Sequence, residues 1–102
     1  MPFYLRFVGG SGDGDLSPIR GRPSCALEVL SGVGFKGYEQ FFRDLEPRFL
    51  ALGGRPHWGK IFYANPRGLY EPATWEHVEK VRVAIDPDGK FLNPLTRSIF
   101  VR

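Results

Sequence analysis

Apolar and polar positions alternate from the start of the chain. Phe3, Leu5 and Phe7 fall on one side and Tyr4, Arg6 and Val8 on the other, the period-two pattern of a strand rich in aromatic residues. Glycines at 9, 10, 12 and 14 then interrupt regular structure, and a mobile loop is expected through Asp15. The next segment, Leu16 to Pro23, is irregular and extended by Pro18 and Pro23. Alternation resumes over Ser24–Leu30, with Leu27 and Val29 on one face, and predicts a second strand.

The period changes after the turn at Gly32-Val33-Gly34. Tyr38, Phe41, Phe42, Leu45, Phe49 and Leu52 recur at spacings of three and four, one stripe of an amphipathic helix. Pro47 falls inside that stripe and is expected to kink or split the helix, since it removes a backbone donor and crowds the preceding turn. Gly53 and Gly54 end it. Ile61–Ala64 is short and apolar, and Asn65-Pro66-Arg67-Gly68 reads as a turn. Thr74 is the expected N-cap of a second helix reaching about Ile85, with Trp75, Val78, Val81 and Ile85 on its buried side. Asp86-Pro87-Asp88-Gly89 has strong turn chemistry. The tail from Phe91 to Val101, interrupted by Pro94, predicts an extended arm or a short last helix.

At 102 residues the chain is expected to be one domain, large enough for a core but small for a deep cofactor cavity of its own. The aromatic share of 15% is high and points to a buried interface as well as a core. A net charge of +3 with acids interleaved among the bases gives no stripe of the kind a nucleic-acid binder presents. Cys25 is the single cysteine, so neither an intramolecular disulfide nor a cysteine-based zinc site can form. With no signal-peptide pattern and no apolar run of membrane-spanning length, a soluble cytoplasmic protein is expected.

Most of the candidate chemistry is weak. Asp13-Gly14-Asp15 and Asp86–Gly89 lack the further oxygen ligands and distal Glu of a calcium loop and read as turns. The glycines after the first strand lead into neither a helix start nor a Gly-Lys-Ser/Thr. His57 and His77 stand twenty residues apart without a third metal ligand, and His77 is expected on the surface. Cys25, in a strand among apolar residues, is expected to be a buried structural thiol.

Gly53-Gly54-Arg55-Pro56-His57-Trp58-Gly59-Lys60 is richer. Trp58 can fill the core, with His57 capping a carbonyl and Lys60 solvated. Alternatively, rigid neighbours hold Lys60 where negative charge develops in a reaction. The residues alone leave both readings open.

This segment, following a helix end, resembles the signature near the C-terminus of the aldonolactone and alditol oxidases, flavoproteins of the vanillyl-alcohol oxidase superfamily. The similarity extends to Leu5-Arg6-Phe7-Val8, Leu16-Ser17-Pro18 and Arg22-Pro23-Ser24-Cys25. Downstream it includes Leu69-Tyr70, Val81-Arg82 and the run from Asp86 to Pro94. The resemblance implies an α+β fold in which a small antiparallel sheet remnant packs with two main helices, the C-terminal part of a flavin-oxidase cap domain.

It also implies a reaction, transfer of a hydride from a carbinol carbon of a sugar lactone or polyol to FAD. By the same resemblance Arg6 and Lys60 are the catalytic candidates, with His57, Trp58 and Tyr4 supporting the substrate- and flavin-facing shell. Tyr4 stands where the family carries a glutamate, and a phenol is a poor base near neutral pH.

The expected partners are an FAD-binding domain or subunit, which the sequence does not include, and a small sugar-derived substrate. No cofactor is expected on the isolated chain, and no activity without that domain. The rival expectation is a non-catalytic remnant acting as a binding or self-assembly module.

Overall fold

The computed structural model describes residues 2–10, 12 and 14–101. Asp13 of the expected Asp13–Asp15 turn, and Ser11 and Asp13 of the glycine-rich loop, lie outside the described residues. The elements run β1 (Phe3–Val8), β2 (Ser24–Val29), α1 (Tyr38–Ala51), a 3-10 turn (Pro66–Leu69), α2 (Pro72–Ile85) and α3 (Pro94–Phe100). The fold class is small α+β, with one two-stranded antiparallel sheet and three α-helices among the described residues. The chain divides into two compact units, Met1–Tyr63 and Ala64–Arg102.

In the first unit β1 and β2 form a ribbon in which Phe3 lies opposite Val29, Leu5 opposite Leu27 and Phe7 opposite Cys25. Because side chains alternate across a strand, these six residues share one apolar face. Tyr4, Arg6 and Val8 with their partners Glu28, Ala26 and Ser24 share the other. Little covers the apolar face: Phe3, Leu5 and Phe7 are exposed, Phe7 by 85%. Cys25 is accordingly exposed rather than the buried thiol its neighbours suggested, because the residues around it are themselves open to solvent.

A two-stranded ribbon is marginal on its own. The loop between its strands closes through successive turns, Ser17 N–H to Gly14 O, Arg20 N–H to Ser17 O and Arg22 N–H to Ile19 O, with an Arg20–Asp15 ion pair alongside.

Helix α1 runs unbroken through Pro47. Proline costs the helix one donor but its fixed φ is already helical, and the remaining ladder carries the element to Ala51. Phe42, Leu45, Phe49 and Leu50 are half-buried, whereas Tyr38, Phe41 and Leu52 of the predicted stripe are exposed.

The second unit holds the tighter core. Tyr70, Trp75 and Ile99 are buried and Pro66 is fully enclosed. Trp75 stacks on Phe100 at 5.5 Å between ring centroids and meets Tyr70 at 6.1 Å. Arg67, from the 3-10 turn, lies over the Trp75 ring at 5.0 Å and forms an ion pair with Glu79 of α2. Its guanidinium also donates to the carbonyls of Ile99 and Phe100 in α3.

Helix α2 starts two residues before the predicted cap: Glu71 is its N-cap and Pro72 its first residue, a position where proline's missing N–H costs nothing. Thr74 is therefore inside the first turn. Val81 and Ile85, predicted on the buried side, are exposed.

Asp86 ends α2 as a buried carboxylate accepting the backbone N–H groups of Lys90 and Phe91. The tail forms the short helix, started by a capping box between Asn93 and Thr96. Among the described residues no helix is long and apolar enough to cross a membrane.

Candidate active site

The Gly53–Lys60 segment begins at a Schellman turn. The N–H of Gly53 bonds the carbonyl of Leu50 and that of Gly54 bonds Phe49, with Gly53 at φ +79°. Both glycines are required by this geometry. At Gly53 the left-handed backbone disfavours a side chain, and at Gly54 an added Cβ would lie 2.7 Å from the Phe49 carbonyl oxygen.

Beyond the turn the segment is tied down at several points. The Arg22 guanidinium donates to the Gly53 carbonyl at 2.7 Å, and Arg55 donates to the Ser17 carbonyl at 3.4 Å. Two arginines thus join this segment to the loop that connects β1 to β2. At the far end Glu46 of α1 accepts the N–H of Tyr63 at 2.8 Å, and Arg43, one turn earlier on the same helix, lies 4.0 Å from the centre of the Tyr63 ring.

His57 and Lys60 form one tight unit inside this frame. The N–H of Lys60 bonds the His57 carbonyl at 3.0 Å, and the N–H of Gly59 donates to His57 Nδ1 at 2.9 Å. His57 therefore accepts a backbone donor within its own turn and caps no carbonyl through this nitrogen. Trp58 is half-buried, and Lys60 is exposed at the end of the turn.

Tyr4 and Arg6 stand together on the polar face of the ribbon. Arg6 forms an ion pair at 3.2 Å with Glu28, which lies directly across from Tyr4. Sequence reasoning did not single out Glu28, although the alternation of β2 places it on the face opposite Leu27 and Val29. The arginine and glutamate anchors of the Lys60 segment have no local signal, because each reaches a partner distant in sequence. Arg6 is carried by β1 and Lys60 by the turn that follows α1. Among the described residues no three His, Cys, Asp or Glu side chains gather as a metal site requires.

The chain thus combines an anchored, lysine-bearing loop with an arginine-bearing antiparallel ribbon. The family model for D-arabinono-1,4-lactone oxidase matches residues 1–99, and the chain belongs to that family. It is 36% identical over 100 residues to the L-gulono-1,4-lactone dehydrogenase of Mycobacterium tuberculosis, covering 97% of this chain and 23% of the relative. It is also 31% identical over 87 residues to the alditol oxidase of a Streptomyces species, covering 82% of this chain and 20% of that enzyme. The chain therefore spans less than a quarter of the length of either relative.

Proposed function

We propose that this chain is the C-terminal, substrate-side portion of an FAD-dependent oxidoreductase acting on a sugar lactone or polyol, and that it works only with an FAD-binding domain or subunit. The observation that carries this reading is the family match over residues 1–99, joined to a ribbon whose apolar face lies open to solvent. Large exposed apolar surface of this kind is what a missing neighbour covers.

The residues present fit one side of the cofactor and not the other. Among the described residues, the stretch from Gly14 to β2 forms turns and no helix N-terminus of the kind that cradles a pyrophosphate. Lys60 and Arg6 fit the substrate-facing side, as exposed cations on locally anchored backbone. The chemistry that FAD would supply, when held by the partner, is acceptance of the hydride.

This chain's part is electrostatic. Lys60 presents positive charge toward the substrate oxygen on which negative charge develops, and the Arg6 guanidinium, its charge balanced by Glu28, donates hydrogen bonds to it. Tyr4 offers a phenol hydroxyl to orient a neighbouring hydroxyl. The His57–Gly59 bond and the half-buried Trp58 restrict the turn that carries Lys60. The lone Cys25 suits a reducing compartment, which we take to be the cytoplasm.

The test is to mix the purified chain with an FAD-binding domain of the same family. Native mass and the visible spectrum are then recorded before and after an aldonolactone is added without oxygen. A yellow one-to-one complex that bleaches supports the proposal, and a colourless chain that takes up no partner overturns it. A second reading, a self-assembling module without catalysis, is favoured by Tyr4 standing where the family has a carboxylate and by the open ribbon face. It predicts a colourless homo-oligomer.

A further inference from the structure

The polar face of the ribbon carries more than the two residues named so far. In register, Tyr4 lies opposite Glu28 and Arg6 opposite Ala26, and Glu28 reaches diagonally to the Arg6 guanidinium at 3.2 Å. Cross-strand diagonal neighbours lie within reach of long side chains, and the small Ala26 leaves room for this one. The three groups offer a phenol, a guanidinium and a carboxylate on one surface, while the reverse face carries only apolar residues and Cys25.

Stability does not explain this cluster. Both members of the ion pair are largely exposed, Arg6 by 70% and Glu28 by 52%, and pairs of that kind contribute little to folding. What it provides is chemical. The carboxylate accepts hydrogen bonds, the guanidinium donates them in a fixed fork, and the phenol does both. Arg6 and Glu28 cancel in charge, so the surface matches a neutral, hydroxyl-rich ligand better than a carboxylate anion.

We propose that Glu28 is a positioning and specificity residue: it holds Arg6 in one orientation and accepts a hydrogen bond from a ligand hydroxyl, favouring a neutral lactone over the corresponding open-chain acid anion. This rests on the reading that the Tyr4–Arg6 face meets substrate.

The full chain, labelled with nitrogen-15 and carbon-13, is titrated with L-gulono-1,4-lactone and separately with sodium L-gulonate, following the Arg6 side-chain N–H and Tyr4 ring signals. In the wild type the lactone shifts both signals at lower concentration than gulonate does. Glu28→Gln weakens lactone binding about tenfold, the scale of one charge-assisted hydrogen bond. Glu28→Asp recovers part of the loss, and the control Glu76→Gln on α2 changes nothing.

A merely structural role would move the Arg6 signal of the free variant and leave the lactone dissociation constant unaltered. That result overturns the role of Glu28 while the face itself keeps its ligand. If the wild type shows no shift of either signal with lactone, the reading of the face fails and this proposal with it. Far-UV circular dichroism confirms that each variant is folded, and if Glu28→Gln is not, Glu28→Asp against wild type decides: equal lactone affinity overturns the proposal and a weaker one supports it.

Discussion

The guanidinium of Arg22 donates to the carbonyl of Gly53 across 2.7 Å, and by that bond the loop preceding β2 holds the entry to the segment that ends in Lys60. A cation useful in catalysis has to be held in place, and here the restraint is applied at the backbone. Arg22→Ala is expected to lower stability by only about 1 kcal/mol, since the bond is exposed. Its local effect should be larger: amide exchange quickens from Gly54 to Lys60 and stays unchanged in α2. Exchange measured by mass spectrometry on wild type and variant checks this, and uniform acceleration would contradict the local anchoring.

The two glycines at the end of α1 should be separately sensitive. Gly53→Ala places a side chain at φ +79° and is expected to cost roughly 1–2 kcal/mol. Gly54→Ala forces a Cβ to 2.7 Å from the Phe49 carbonyl and is expected to cost about 1–3 kcal/mol. Gly32→Ala, where an added Cβ meets nothing within 4 Å, should be close to neutral. Urea unfolding of the three variants orders them.

In the second unit, Arg67 gathers the 3-10 turn, α2 and α3 through Glu79, the Ile99 and Phe100 carbonyls and the face of Trp75. Replacing it with Leu leaves the Glu79 carboxylate without this cation, and losing the charge-assisted hydrogen bonds of a part-buried pair costs about 1.5–3 kcal/mol. The near-ultraviolet dichroism of Trp75 and the thermal midpoint should both fall. Glu76→Ala, which loses only an exposed pair with Lys80, should leave both unchanged.

Sequence reasoning recovered those features that depend on local period. The ribbon strands, helix α1 and its glycine end follow from alternation, from the three-and-four spacing and from backbone chemistry at Gly53 and Gly54, although only Phe42, Leu45 and Phe49 of the stripe are half-buried. It failed where the outcome depends on what covers a surface. Apolar neighbours predict burial for Cys25, Val81 and Ile85, yet the faces they occupy are open. Of the kink or split that Pro47 predicts, the split is absent, since one lost donor is tolerated within an otherwise continuous ladder from Tyr38 to Ala51. A hydroxyl is a good cap and predicts the start of α2 at Thr74, whereas Pro72 at the first helical position sets the boundary.

For the site, the Lys60 segment stood out by composition and resemblance, and Tyr4 and Arg6 by resemblance alone. The tethers Arg22, Arg55, Arg43 and Glu46 did not, since a long-range contact leaves no mark in local spacing. Glu28 was legible in principle: once the two strands are paired in register, its position opposite Tyr4 follows.

Lys60 is exposed at the end of its turn, so its removal should leave folding intact and act on chemistry. Lys60→Ala is expected to leave the thermal midpoint unchanged and to leave assembly with the FAD-binding partner unimpaired. A thermal melt of the variant chain checks the first expectation, and size-exclusion chromatography of the mixed proteins, read at the flavin absorbance, checks the second.

The most direct measurement is the anaerobic rate at which an aldonolactone bleaches the flavin of the assembled complex, with wild-type chain and with Lys60→Ala. The account predicts bleaching with the wild type and a rate lower by about 10²–10³-fold with the variant, the scale of losing one preorganised charge at a developing anion. Equal rates, or assembly without any bleaching by the wild type, would contradict it.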